Sequence, residues 1–132
     1  MDTEKERGKE MRSLIATIVL CCIMILAATA NFVYVNHIAD EMIALADALP
    51  SIDDPSCIEK TDELCKMWKK NVSIVGLTVG FLTIDKLSEY CETLHACAQV
   101  GDVYGYQTAL TLLYDSIDDV RRLERFSIGN LF

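Results

Sequence analysis

The chain has 132 residues, with 12 Lys and Arg against 20 Asp and Glu, so its formal net charge is −8. This length accommodates one domain beside a membrane segment, and the acidic balance argues against nucleic-acid binding because phosphates would be repelled. The 52% hydrophobic content excludes a wholly disordered chain, and 6 Gly and 2 Pro are too few for the many turns of an all-β fold.

An apolar stretch from Ser13 to Val35 contains no Asp, Glu, Lys, Arg or His. At a rise of about 1.5 Å per residue, a helix of this length crosses roughly 30 Å of hydrocarbon. Inside a bilayer the backbone must satisfy its own hydrogen bonds, so a single transmembrane helix is predicted. The predicted organisation is a tail at 1–12, a transmembrane helix at 13–35 and a second domain at 36–132.

The charges that flank this stretch predict its orientation. After it, the first cation is Lys60, whereas four cations precede it: Lys5, Arg7, Lys9 and Arg12. The flank rich in Lys and Arg stays in the cytoplasm. We therefore expect a single-pass protein of the cell membrane, with a cytoplasmic N-terminus, an extracytoplasmic C-terminal domain and the lipid bilayer as its first partner.

A cleaved signal peptide is the alternative to an anchor. Ala28-Thr29-Ala30 fits the small-residue pattern of a cleavage site. The apolar run continues beyond it to Val35, and the helical pattern has no break there, whereas a protease needs an extended segment. The uncleaved anchor is the favoured interpretation, and cleavage after Ala30 stays open.

The boundaries of the later helices follow from turn and capping residues. Pro50 ends the helix that continues the membrane span, and Asp54-Pro55 begins the second helix. Gly80 is predicted to end the second helix, and Thr83 to cap the third. Gly101-Asp102 combines a left-handed helix end with an N-cap, so it separates the third helix from the fourth.

The fold class follows from the apolar spacing and from these short connections. Apolar residues recur at alternating steps of three and four throughout 35–126, and none of the stripes alternates with period two. Short connections make successive helices antiparallel. We predict an all-α chain, with the transmembrane helix continuous with an extracytoplasmic antiparallel bundle of about four helices. Its expected core residues are Trp68, Val72, Leu87, Leu94, Leu110, Leu113 and Ile117.

The last six residues, 127–132, are too apolar for a free tail, so they are predicted to fold back onto the bundle. They also contribute to a family resemblance. The chain resembles the small bacterial single-pass membrane proteins grouped as domain of unknown function 4363. The shared features are the N-terminal span, the acidic first connection, Trp68-Lys69, Gly101-Asp102 and the closing Ser127-Ile128-Gly129-Asn130-Leu131.

This resemblance implies location and fold, and no chemistry, because the family has no assigned activity. The family often carries an Asp-His pair where the second helix ends. Here Gly80-Phe81 stands in that place, so no role of that His is carried over.

Two residue pairs on the third helix resemble fragments of metal sites. Glu92 and His95 have the Glu-x-x-His spacing of di-iron bundles, but such a site needs a second motif and two further Glu. Cys91 and His95 share a helix face, but a structural zinc site needs four ligands. We predict no metal site, no cofactor and no catalytic residues.

The segment from Asp40 to Glu63 carries eight carboxylates and, as its one cation, Lys60. It lacks the alternating ligands of a calcium loop. The favoured interpretation is a solvated acidic face; the alternative is a surface for a cation or a basic partner. His37 beside Asp40 and Glu41 offers the further alternative of a pH sensor.

Four cysteines lie in the domain predicted to be outside, where oxidation is possible. If the second and third helices fold antiparallel about a turn at 80–83, Cys65 and Cys97 lie at the same height. A Cys65–Cys97 disulfide is therefore the predicted pairing, with reduced core thiols as the alternative.

The leading functional prediction is a membrane-anchored extracytoplasmic module for interaction or structure, and not an enzyme. Its second partner is expected to be a protein or another copy of the chain, with no small-molecule substrate. The alternatives are a cation- or pH-sensing domain and a small accessory subunit of a larger membrane complex.

Overall fold

The computed structural model describes residues 1–130, apart from the side chains of Ser127 and Ile128. Over these residues the protein is helical and contains no strand. Its four helices are α1 (Asp2–Asp47), α2 (Ser56–Val75), α3 (Phe81–Val100) and α4 (Val103–Gly129). The prediction of an all-α chain with four helices is confirmed. The chain divides into two compact units, unit 1 (Met1–Val33) and unit 2 (Tyr34–Phe132).

Unit 1 is helical and exposes its apolar side chains. The most apolar window of α1 has a mean hydropathy of 2.5 with none of its residues buried, so this helix is long and apolar enough to cross a membrane. The hydroxyls within it are satisfied locally, since Thr17 donates to the Ser13 carbonyl at 2.9 Å and Thr29 to the Ile25 carbonyl at 2.8 Å. Such bonds lower the cost of placing a hydroxyl in an apolar environment.

Unit 2 packs the last turns of α1 with α2, α3 and α4 in an antiparallel arrangement. Asp40 of α1 forms an ion pair with Arg121 of α4, and seven residues further along α1, Asp47 accepts a hydrogen bond from Tyr114. Moving forward along α1 therefore means moving backward along α4. Tyr34 donates a hydrogen bond of 2.6 Å to the side-chain oxygen of Asn71, which places the beginning of the unit beside the last turn of α2.

The core of unit 2 is apolar and densely filled. Trp68, Leu87, Leu94, Leu113 and Ile117 are almost fully buried. Val72 and Leu110, which the sequence also assigned to the core, are half-buried and pack against its edge. An interior void bordered by Trp68, Leu87 and Ile117 measures about 10 Å³, close to the smallest space that holds one water.

Two of the predicted helix boundaries follow their local chemistry. The backbone N–H of Ser56 donates to Asp54 Oδ1 at 2.9 Å, which lowers the pKa of the Asp54 carboxyl. Helix α2 begins at Ser56 with Pro55 as its N-cap, one residue later than predicted. Gly101 adopts a left-handed φ of 74°, and Asp102 accepts a hydrogen bond of 3.0 Å from the Gly105 N–H. This pair ends α3 and starts α4 because glycine adopts this conformation without strain.

The turn between α2 and α3 differs from the prediction. Helix α2 ends at Val75 with Gly76 as its C-cap, and α3 begins at Phe81 with Gly80 as its N-cap. Gly80 thus precedes the third helix instead of ending the second, and Thr83 lies inside the first turn of α3 instead of capping it. The centre of the turn is at residue 78, about three residues earlier than expected.

This earlier turn changes which residues of α2 and α3 lie side by side. Trp68 Nε1 donates to Ser88 Oγ at 2.8 Å, and the Cys65 thiol donates to the Cys91 carbonyl at 3.0 Å. The level of Cys65 is therefore that of Cys91 instead of Cys97. The predicted 65–97 register is corrected because each residue of shift in the turn centre moves the pairing by two residues.

Helix α4 continues through residues 127–129, so this part of the closing segment extends the helix instead of folding back. The predicted packing of Leu131 and Phe132 lies outside the described residues.

Candidate functional site

A surface concavity of unit 2 lies at the end opposite Tyr34. We call it the distal groove; it measures about 360 Å³. The α1–α2 connection forms one wall and the first turns of α4 the other. Its lining residues are Leu49, Pro50, Ser51, Ile52, Asp53, Val103, Tyr106, Gln107 and Leu110.

Local hydrogen bonds hold the wall formed by the α1–α2 connection. Pro50 cannot continue α1, and the Asp54 N–H donates to the Ser51 carbonyl at 2.9 Å to close a tight turn. Tyr106 reaches across from α4, and its hydroxyl donates to the Pro50 carbonyl at 3.5 Å while accepting from the Cys57 thiol at 3.4 Å. Burial raises the pKa of Tyr106, so it remains a neutral donor.

Exposed apolar side chains lie in and next to the lining of the distal groove; we call Val103, with Tyr104 and Val100 near it in the chain, the apolar rim. Val103 is 48% exposed and belongs to the groove, and the neighbouring Tyr104 and Val100 are 87% and 79% exposed. Asp53 contributes a carboxylate to the lining, and Asp102 directly precedes Val103 in the chain. An apolar surface with an aromatic side chain can bind an apolar side chain of a partner protein, and the nearby carboxylates favour a partner with basic residues next to that side chain.

The predicted disulfide residues lie in different parts of unit 2. Cys65 contacts Cys91, whereas the sulfur of Cys97 lies beside Gly105, at 2.7 Å from where a Cβ on that glycine would be. All six cysteines of the chain are free thiols in the structure. Its hydrogen bond with Cys65, together with burial, raises the pKa of the Cys91 thiol, which makes it a weak nucleophile.

The two metal-like pairs of α3 do not converge on a common point. Glu92 is exposed and faces Lys69 at 3.6 Å, while Cys91 is buried. Both ring nitrogens of His95 have partners, Thr61 Oγ1 at 2.9 Å and Gln99 Nε2 at 3.1 Å. Among the described residues, no three His, Cys, Asp or Glu side chains are grouped so that they could hold a metal ion.

Many carboxylates of the acidic segment have structural partners. Asp40 pairs with Arg121, Asp47 with Tyr114, and Asp62 with Lys66 at 2.6 Å. Glu63 faces Lys60 at 3.5 Å, and Glu41 faces His37 at 3.3 Å. Asp40 and Asp47 therefore join α1 to α4, whereas the other three pairs each lie within one helix.

Sequence reasoning missed the distal groove. The apolar spacing of the fourth helix gives Tyr106 only a core position, and the apolar pair Val103-Tyr104 directly after a helix start is the signal in the sequence. Its other wall comes from a connection about fifty residues earlier in the chain, which only the fold brings near.

Comparisons with protein-family models, with curated proteins and with solved structures found no match to this chain.

Proposed function

We propose that the chain is a membrane-anchored interaction module, in which the first part of α1 spans the cell membrane and unit 2 presents the distal groove outside the cytoplasm. The observation that carries this proposal is the apolar rim of the groove. Tyr104 is 87% exposed and Val100 79% exposed, at the end of unit 2 away from Tyr34, where the chain enters it. Contiguous exposed apolar side chains, rimmed by polar residues, mark interaction sites on protein surfaces.

The length and hydropathy of α1 support the anchor. The cations before Ser13, with none until Lys60 after it, support the cytoplasmic N-terminus. Membership of the family grouped as domain of unknown function 4363 belongs to the same proposal and rests on the sequence resemblance alone.

The partner of the groove is expected to be a protein that carries an apolar anchor with basic neighbours. Unit 2 offers the Asp53 carboxylate and a neutral Tyr106 in the lining of the groove. Charge complementarity of this kind contributes specificity and association rate more than affinity. A larger membrane complex that recruits the chain as an accessory subunit would use the same groove together with the anchor.

Site-specific photo-crosslinking tests this proposal. A photoreactive phenylalanine analogue replaces Tyr104 in the full chain, which is expressed in its native membrane and irradiated. We expect a discrete adduct with one protein, and we expect Val103→Glu to abolish it because a carboxylate in the apolar rim opposes burial.

The matched control carries the same analogue in place of Glu89, which is exposed on α3 away from the groove. Equal cross-linking from positions 104 and 89, or no adduct from position 104, would contradict the interaction function. An adduct between two copies of the chain would identify self-association as the form that the interaction takes.

A further inference from the structure

The end of unit 2 that contains Tyr34 carries a second group of exposed apolar side chains. They lie around the α2–α3 turn and on the last turns of α4, and we call them the apolar tip. Its members are Ile74, Leu77, Phe81, Leu82 and Phe126. Leu77 and Phe81 are 81% and 80% exposed, values that are unusual for large apolar residues outside an interface.

The hydrogen bond between Tyr34 and Asn71 gives the level of this tip within the unit. Helix α2 continues past Asn71 to Val75, which carries the turn about 6 Å beyond the level of Tyr34. The ion pair of Asp40 with Arg121 gives α4 its register, which places Phe126 close to the same level. The apolar tip therefore lies at the same end of unit 2 as Tyr34, its first residue, and extends slightly beyond it.

Exposed cations on α2, α3 and α4 lie just behind the apolar tip. Lys70 precedes Asn71, and the α2–α3 register places Lys86 opposite Lys70. Arg125 precedes Phe126 on α4. We call these three residues the cation collar; the carboxylate of Asp85 shares its level. Towards the distal groove the carboxylates of Asp53, Asp54, Glu59, Asp62, Glu63 and Asp102 outnumber the cations Lys60 and Lys66.

The apolar tip comes first, the cation collar lies behind it, and the carboxylate-rich surface near the distal groove lies furthest away. This is the order expected of a protein surface that lies on a bilayer. Apolar side chains enter the boundary between headgroups and acyl chains, while Lys and Arg reach anionic phosphates at the interface. The carboxylate-rich surface near the distal groove would be repelled by the same phosphates.

We propose that the apolar tip inserts into the interface of the lipid bilayer and that the cation collar binds anionic lipid headgroups. Unit 2 begins at Tyr34, and the apolar stretch 13–35 ends at Val35. The proposed membrane span therefore ends where this end of unit 2 begins. The proposal rests on the membrane anchor of the proposed function, and it names lipid as the partner of a surface that this function leaves unused.

Lipid cross-linking of the full chain tests this inference. The protein is reconstituted into vesicles of phosphatidylcholine with phosphatidylglycerol, and a photoreactive phenylalanine analogue replaces either Phe81 or Tyr104. Both positions are highly exposed aromatic residues of unit 2, at opposite ends. We expect about tenfold more lipid adduct from position 81 than from position 104.

A pair of matched substitutions separates insertion from proximity. Leu77→Glu places a charge in the tip and is expected to reduce the lipid adduct at position 81 severalfold. Val100→Glu, at an equally exposed aliphatic residue beside the distal groove, is expected to leave it unchanged. Lys70→Glu with Lys86→Glu is expected to abolish the excess of lipid adduct at position 81 in vesicles that contain phosphatidylglycerol over vesicles of pure phosphatidylcholine.

Flotation of the vesicles distinguishes failure of the membrane anchor from failure of the lipid contact at the apolar tip. If the chain floats with the vesicles but positions 81 and 104 give equal lipid adducts, the anchor holds and the inference is wrong. A protein–protein adduct at position 81 in place of lipid would also overturn it. If the chain does not float, the anchor and the inference fail together.

Discussion

The thiol of Cys65 on α2 donates a hydrogen bond of 3.0 Å to the main-chain carbonyl of Cys91 on α3. Both residues are buried, and the indole of Trp68 forms the next contact between the same helices with Ser88. The contact brings together two thiols that are 26 positions apart in the chain, and it belongs to the rigid centre of the α2–α3 hairpin.

Oxidation of the full chain is predicted to link Cys65 with Cys91. Each thiol gives up one proton and one electron to a disulfide oxidant, which is reduced to its dithiol while the new S–S bond forms. The bond would close a loop of about 27 residues and add about 3.5 kcal/mol to the free energy of unfolding by the loop-entropy estimate.

Peptide mapping without reduction, after the chain is refolded in the presence of the oxidant, checks this pairing. Cys91→Ser should abolish the linked peptide, and Cys97→Ser should leave it intact. A peptide that links Cys65 with Cys97 would restore the register expected from the sequence and contradict the observed turn.

Trp68 is predicted to be the residue whose truncation is most damaging to unit 2. It is 2% exposed, and its Nε1–H donates to Ser88 Oγ at 2.8 Å. Trp68→Ala leaves a large cavity and should lower the free energy of unfolding by about 3 to 5 kcal/mol. Ser88→Ala keeps the ring but leaves its N–H without a partner, at a cost of about 1 to 3 kcal/mol.

Denaturant titration in detergent, followed by circular dichroism, measures both effects. Leu82→Ala is the control, because that side chain is 71% exposed and should change stability little. Similar stabilities for Trp68→Ala and Leu82→Ala would mean that α2 does not direct its indole into the core.

Alkaline pH is predicted to destabilise unit 2 through Tyr114. Burial, followed by the hydrogen bond to Asp47, raises the pKa of Tyr114 to about 12. An unfolded tyrosine titrates near pH 10, so above about pH 10 the unfolded chain holds fewer protons than the folded one. The stabilisation is therefore complete below about pH 10 and is lost as the pH rises through about 12.

The denaturation midpoint, followed from about pH 9 to about pH 12, should fall less steeply for Tyr114→Phe than for the unmodified protein. Tyr106 contributes the remaining slope, because burial raises its pKa as well. Tyr104→Phe, at a solvent-exposed ring, is the control and should keep the full slope. The same slope in Tyr114→Phe and Tyr104→Phe would count against the prediction.

Gly105 is predicted to tolerate no side chain. A Cβ at this position would lie 2.7 Å from the sulfur of Cys97 and even closer to the Asp102 carboxylate that caps α4. Gly105→Ala should therefore push the cap away from its backbone partner and lower the thermal midpoint, at a cost of about 1 to 3 kcal/mol.

Gly80→Ala is the matched control, since nothing lies within 4 Å of the added Cβ. Thermal melts of both variants, followed by circular dichroism, compare them directly. An equal or higher midpoint for Gly105→Ala would show that α3 and α4 separate easily at this point.

The proposed function requires that the N-terminus lies in the cytoplasm and the C-terminus outside it. A reporter that is active only outside the cytoplasm, fused after Phe132, should be active, because the cations cluster before Ser13. The same reporter fused before Met1 should be inactive. Activity of the N-terminal fusion alone would reverse the orientation, and a mature protein that starts at Asn31 would show cleavage.

The sequence by itself determined those features that depend on neighbours along the chain. The spacing of apolar residues predicted four helices, and Gly101-Asp102 marked the α3–α4 corner, since a left-handed glycine and a capping carboxylate act within one turn. Burial of Trp68 could be expected from its stripe for the same reason.

Tertiary packing decided where α2 turns into α3. Gly76 and Gly80 both resemble helix ends in sequence, and the structure uses one to end α2 and the other to begin α3. Val75 and Val79 are both buried, so the chain bends where both valines reach the core. Local propensity does not determine the position of this turn, because the position depends on the space for the two valines between α1, α3 and α4. The Cys65–Cys91 contact and the distal groove follow from the same packing, since each joins residues that only the folded helices bring together.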